Sequence, residues 1–191
     1  MFGNKKERWI VIGLGNPGSE YERTRHNVGA MVISTLATRH NLKLSTHKSR
    51  AYVAEYQLGE KSIVAATLRC YMNESGGPTK SLMDFYKVKS DNLIVIHDEL
   101  DIPFSATRLK LGGGDNGHNG LKSITAVMGA NYYRLRMGIG RPIGQQDPAD
   151  FVLKPFSAGE RKVLSNFLDL GADASECLIE AGLEVAQQKF N

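Results

Sequence analysis

Apolar runs and helically spaced apolar positions alternate along the chain. WIVIGL (9–14) carries no charge and reads as a buried strand. NVGAMVISTLATRHN places Val28, Met31, Val32, Leu36 and Ala37 near helical spacing, which predicts a helix. AYVAEYQL and SIVAATL flank Gly59-Glu60 and predict a hairpin. TKSLMDFYK reads as helix, and DNLIVIHDEL as a second buried strand running into a loop at its acids. ATRLKL is a short alternating strand, and LKSITAVMG a helix ending at Gly129. YYRLRMGIG is a strand with Tyr133, Leu135, Met137 and Ile139 on one face and Arg134 and Arg136 on the other. Ser157 and Glu160 have capping-box spacing and open a helical C-terminal region. Helices between buried strands, with one hairpin, predict an α/β fold around a mixed sheet. With 191 residues and no repeat, low-complexity tract or clear linker, one domain with its own core is expected.

Charge adds a surface to this picture. The net charge is +4, a mild excess. Between Arg108 and Arg141, however, six bases face one acid, while Ser157–Asn191 holds three bases and six acids. A basic middle suggests an anion-facing surface, and the count alone leaves a solvated face equally open. Cys70 and Cys177 form no C-x-x-C pair, so a disulfide framework is not expected and a reducing cytoplasm fits. The start, MFGNKKERW, has no apolar core and predicts no signal peptide. No apolar run reaches about 18 residues, the length a membrane span needs.

Gly13, Gly15 and Gly18 spell G-x-G-x-x-G after a strand, the pattern of a dinucleotide turn. Pro17 lacks the N–H that would cradle a pyrophosphate, and SEYERTRHN is too long and charged for a helix packed on the sheet. The acid expected about 20 residues on is replaced by a helical segment. The stretch instead reads as a tight Asn-Pro-Gly turn at a strand's carboxyl end, where Asn16 either caps its loop or faces a ligand. His26 follows as a surface or helix-cap histidine or as a base. Asp98, Glu99 and Asp101 lie just past the second buried strand; a metal site would need several ligands, and Asp98 suits a histidine's partner as well as a loop cap. His97 alternates away from Asp98. Met72-Asn73 could line a pocket, or Asn73 could cap the next helix. In GGGDNGHNG the glycines permit close backbone approach, and Asn119 is either an N-cap or a ligand amide. There is no Walker sequence, G-x-S-x-G elbow or His-Glu-x-x-His. A hydrolase built from these residues would most simply use water activated by a histidine.

Taken together, GLGNPGSEYERTRHNVG, YMNESGG, HDELDIP, LKLGGGDNGHNGLKS, YRLRMGIGRP and FVLKPFS resemble bacterial peptidyl-tRNA hydrolase, from Ile10 to about Phe156. The C-terminal helical region matches by kind more than by motif. The resemblance implies an α/β, single-domain three-layer fold over residues 1–191, a twisted mixed β-sheet flanked by helices. It implies a monomeric, cytoplasmic esterase that needs no cofactor or metal and frees tRNA from dropped peptides. By the same resemblance His26 is the catalytic histidine, Asp98 its carboxylate partner, and Asn16 and Asn73 amides lining the substrate site. Asn119 would help position water and substrate, and Tyr21 and Met72 would line the cleft. Lys110 and Arg136, with Arg108 nearby, would grip the tRNA 5′-phosphate. Two departures stand out: Tyr71 replaces the usual phenylalanine, and Asp115-Asn116 vary the glycine-rich loop.

Overall fold

The protein is described by a computed structural model covering residues 6–191; the polar start at 1–5, expected to carry no targeting signal, lies outside them. Seven strands form one sheet: β1 (Arg8–Gly13), β2 (Ser45–His47), β3 (Ala51–Leu58), β4 (Lys61–Leu68), β5 (Leu93–Glu99), β6 (Thr107–Leu111) and β7 (Tyr133–Gly138). Their order is β2-β3-β4-β1-β5-β7-β6. The four central strands are parallel, and the β2–β3, β3–β4 and β6–β7 pairings at the edges are antiparallel, so the sheet is mixed as expected. The β3–β4 hairpin turns at Gly59, whose φ of +56° suits a residue without a Cβ.

Helices cover both faces. Val32, Ile33 and Leu36 of α1 (Val28–Arg39) and Phe167, Leu178 and Ile179 of α6 (Leu164–Ala181) pack with Val11, Ile94 and Ile96 in one core. Leu82 and Met83 of α2 (Gly76–Tyr86) and Leu121 and Ile124 of α3 (Asn119–Met128) pack with Ile10, Ile12 and Val95 in the other. Alternate residues of each strand feed the two cores, which is why the central strands read as unbroken apolar runs. The helix α4 (Pro148–Val152) was not foreseen; the Asp147 side chain accepts from Ala149 N at its start. The capping box expected at Ser157 and Glu160 opens α5 (Ala158–Arg161). No helix among the described residues is long and apolar enough to cross a membrane.

One boundary differs from expectation. Asp98 and Glu99 are not past β5 but are its last two residues, 4% and 5% exposed. Pairing with β7 continues to Glu99↔Gly138 and holds them in the sheet. Gly13 and Gly29 serve packing. A Cβ on Gly13 would stand 2.1 Å from Gly29 O, and one on Gly29 would stand 2.2 Å from Ile96 O. The main chains of β1, α1 and β5 therefore touch directly.

Candidate active site

The ends of β1 and β5, the turn before α1, the segment before α2 and the start of α3 converge on one cleft of about 770 Å³. Asn16, His26, Met72, Asn73, Asp98 and Asn119 line it. It opens at the carboxyl ends of parallel strands, where α/β sheets leave room for ligands.

His26 sits in a short 3-10 turn, Arg25–Asn27, that is fastened on both sides. The Arg25 guanidinium donates to Pro155 O at 2.8 Å and Glu160 Oε2 at 2.6 Å and lies over the Phe151 ring. The Asn27 amide accepts from Asn16 N and donates to Asn16 O, each at 2.9 Å, as a paired strand would. With its main chain fixed in this way, Asn16 directs Oδ1 to Met72 N at 2.8 Å. That bond orients the amide and leaves Nδ2 without a partner among the described residues.

Asp98 is the centre of the polar cluster. His26 Nδ1 lies 2.9 and 3.1 Å from its two oxygens, and His118 Nε2 lies 2.9 Å from Oδ1. The other His118 nitrogen, Nδ1, accepts from Gly120 N and Leu121 N, so His118 is the N-cap of α3. Nδ1 must then carry a lone pair, which puts the ring proton on Nε2 and aims it at Asp98. Burial pushes the Asp98 carboxyl up, but His26 and His118 outweigh it and hold it well below the usual carboxylate range. Burial lowers the His26 pKa, and the Asp98 charge and hydrogen bond overcome this, leaving it above the ordinary 6.5. With Nδ1–H given to Asp98, Nε2 is the ring nitrogen left for a ligand.

His97 faces the other way, as the alternation predicts. Its Nδ1 donates to Asp98 O at 2.7 Å, and burial, then the adjacent His118, push its pKa down to about 3. Donor atoms of His26, Asp98 and His118 lie within 4.8 Å of one another, a set that a transition metal could use. In the present pairing both ring nitrogens that face Asp98 hold protons a metal would have to displace.

A second cavity of about 330 Å³ lies beside the first, where Lys110, Arg134, Arg136 and His97 meet the carboxylates of Glu99, Asp101 and Asp115. Strand register explains the grouping: Lys110 pairs with Arg134 across β6–β7, and His97 with Arg136 across β5–β7. Arg136 Nε donates to Glu99 Oε2 at 3.1 Å. Burial, then Arg136 and Arg134, lower the Lys110 pKa, and Glu99 opposes them.

A family model described as Peptidyl-tRNA hydrolase matches residues 10–191. The chain belongs to the peptidyl-tRNA hydrolase family. It is 52% identical to a peptidyl-tRNA hydrolase of Streptomyces avermitilis over 96% of this chain and 93% of that protein. A Frankia casuarinae relative of the same name is 53% identical, with 96% and 93% covered. The solved peptidyl-tRNA hydrolase of Acinetobacter baumannii matches with a TM-score of 0.89 at 31% identity, covering 96% of this chain and 94% of that one. Membership thus extends through the C-terminal helices, beyond Phe156.

Against the residues expected for a peptidyl-tRNA hydrolase, the structure brings six into the cleft and two, Lys110 and Arg136, into the basic cavity. Two stand elsewhere. Tyr21 does not line the cleft; its carbonyl accepts from Thr24 N and Oγ1, so it builds the 18–24 turn instead. Arg108 is outside the basic cavity, because its exposed guanidinium folds back onto Thr107 O at 2.7 Å. Neither amide thought able to cap a helix does so: Ser75 precedes α2, and His118 caps α3. His118, Asn27, Arg25 and Arg134 were not singled out for the site. Asn27 adjoins His26 and His118 adjoins Asn119, but only the fold brings them to Asn16 and Asp98.

Proposed function

We propose that this chain hydrolyses peptidyl-tRNA at the ester between the peptide's terminal carboxyl and the tRNA ribose, with His26 as general base and Asp98 as its orienting partner. The observation that carries this is the 2.9 Å contact from His26 Nδ1 to a buried carboxylate, in a cleft walled by amides. Nε2 takes a proton from water as its oxygen bonds to the ester carbonyl carbon. Asp98 keeps the ring in the Nδ1–H tautomer and stabilises the imidazolium that forms. Collapse of the tetrahedral intermediate breaks the bond to the ribose oxygen, and the imidazolium returns the proton to it. The ribose oxygen leaves as an alkoxide far more readily than an unprotonated amide nitrogen would, so direct attack by water suffices.

With Oδ1 held by Met72 N, the Asn16 amide is oriented and its Nδ2–H donors suit a carbonyl oxygen gaining charge. Asn73 and Asn119 suit a peptide main chain and ignore its side chains. A site that buries a neutral N-acyl amide penalises a free ammonium by desolvation, which would spare ordinary aminoacyl-tRNA. Lys110 and Arg136 would hold the tRNA 5′-phosphate, positioning the ester without reading sequence. The reading includes a monomer acting as one domain, without cofactor, in the cytoplasm, where the free Cys70 and Cys177 suit reducing conditions.

The test is release of uncharged tRNA from N-acetyl-aminoacyl-tRNA in chelator. Wild type should turn over and spare free aminoacyl-tRNA, while His26→Ala should lose about 10²–10⁴-fold in kcat with KM little changed. Near-normal kcat in His26→Ala would overturn the assignment.

A further inference from the structure

We propose that Asn116 is a positioning residue, tying the glycine-rich loop to two carboxylates at the end of β5 and so fixing His118 and Asn119 in the cleft. Asn116 has a φ of +48°, in the left-handed region, while Gly112, Gly113 and Gly117 around it also have positive φ. A glycine would meet that backbone demand with less strain. The side chain therefore needs its own reason, and its hydrogen bonds supply one. Nδ2 donates to Glu99 Oε1 at 2.9 Å and to Asp101 Oδ2 at 2.7 Å. Both amide hydrogens are engaged, each by a carboxylate.

Those carboxylates also belong to ion pairs. Glu99 holds Arg136 through its other oxygen, and Asp101 accepts from Arg141 Nε at 2.6 Å. Asn116 thus links two ion pairs into one network. The earlier part of the loop is held separately, by the Arg134 guanidinium on the carbonyls of Gly113 and Gly114. Pinned at 113–114 and at 116, the loop has little freedom left when it delivers His118 to Asp98.

The network also stands between the two cavities, since Glu99, Asp115 and Asn116 line both. An anion arriving at Arg136 competes with Glu99 for the guanidinium. Any change in Glu99 passes through the Asn116 amide to the loop that carries His118. Resting on the reading of the basic cavity as a phosphate site, Asn116 couples phosphate binding to the reactive geometry. Such coupling requires the phosphate to alter kcat as well as KM.

The test compares wild type, Asn116→Gly and Asn116→Asp on N-acetyl-aminoacyl-tRNA with and without its 5′-phosphate. Asn116→Gly keeps the backbone conformation and deletes the amide; Asn116→Asp keeps the shape and turns the donor into a third carboxylate. In wild type, removing the phosphate should lower kcat and raise KM. Both variants should lose up to about 10²-fold in kcat, the scale of a misplaced catalytic group, and respond to phosphate removal in KM alone. Amide exchange should quicken at 115–119 and stay unchanged in β1 and β5. Wild-type kcat in Asn116→Gly, or a phosphate effect on kcat that survives in both variants, would overturn the proposal. So would a kcat loss accompanied by faster exchange throughout the sheet, which would make Asn116 merely structural. A wild type that fails to release tRNA would instead refute the proposed function.

Discussion

His118 Nε2 and His26 Nδ1 each lie 2.9 Å from the same oxygen of Asp98. His26 enters from the layer of α1 and His118 from the layer of α3, so one carboxylate at the sheet's rim is held from both sides. His118 also caps α3, and substitution can separate its two roles. His118→Ala should lower stability by about 1 kcal/mol for the cap and reduce kcat as Asp98 loses a donor. His118→Asn, a good N-cap, should restore the melting temperature and leave kcat depressed. Recovery of both would confine His118 to capping.

The pH dependence has a defined sign. The base must be unprotonated, so kcat/KM should rise with pH through the His26 pKa, above 6.5. In Asp98→Asn the charge that raises this pKa is gone and burial acts alone. The midpoint should move to lower pH even as the rate falls by about 10²–10⁴-fold. A pH–rate profile of both proteins checks this; a midpoint that stays or rises would mean Asp98 does not set the His26 proton.

Lys110→Ala should raise KM for tRNA substrates and reduce the salt slope of binding by about 1, leaving thermal stability near wild type. Arg136→Ala should do the same to KM and salt slope and also lower the melting temperature, because Glu99, 5% exposed, loses its guanidinium. Titrations at several salt concentrations and a thermal melt distinguish the two variants.

Gly29→Ala would set a methyl 2.2 Å from Ile96 O, and main chain must move to admit it. The expected loss is about 1–3 kcal/mol or more, measured by denaturant unfolding. Gly77→Ala in α2 meets nothing within 4 Å and should instead stabilise by about 0.5–1 kcal/mol.

Most elements were legible because their signals are local. WIVIGL, the Gly59 hairpin and the Ser157–Glu160 box each depend on neighbours in sequence. The end of β5 was not, since acids argue for a loop and only the β7 ladder, with His26 and His118 from distant segments on Asp98 and Arg136 and Asn116 on Glu99, lets them lie inside. Arg134 shows the same limit. Its alternation with Leu135 is plain, yet only the carbonyls of Gly113 and Gly114 allow a guanidinium there to be 1% exposed. His26 and Asp98 were named through the whole motif pattern, and neither residue alone would have distinguished a base from a surface histidine. The amide–backbone pair of Asn27 with Asn16 spans 11 residues, and no periodicity announces it.

Direct main-chain seating at Gly13 and Gly29 makes these two positions hinges of the chemistry. His26 stands just before α1 and Asp98 near the end of β5, so a side chain that pried β1, α1 and β5 apart would part the reacting pair as well.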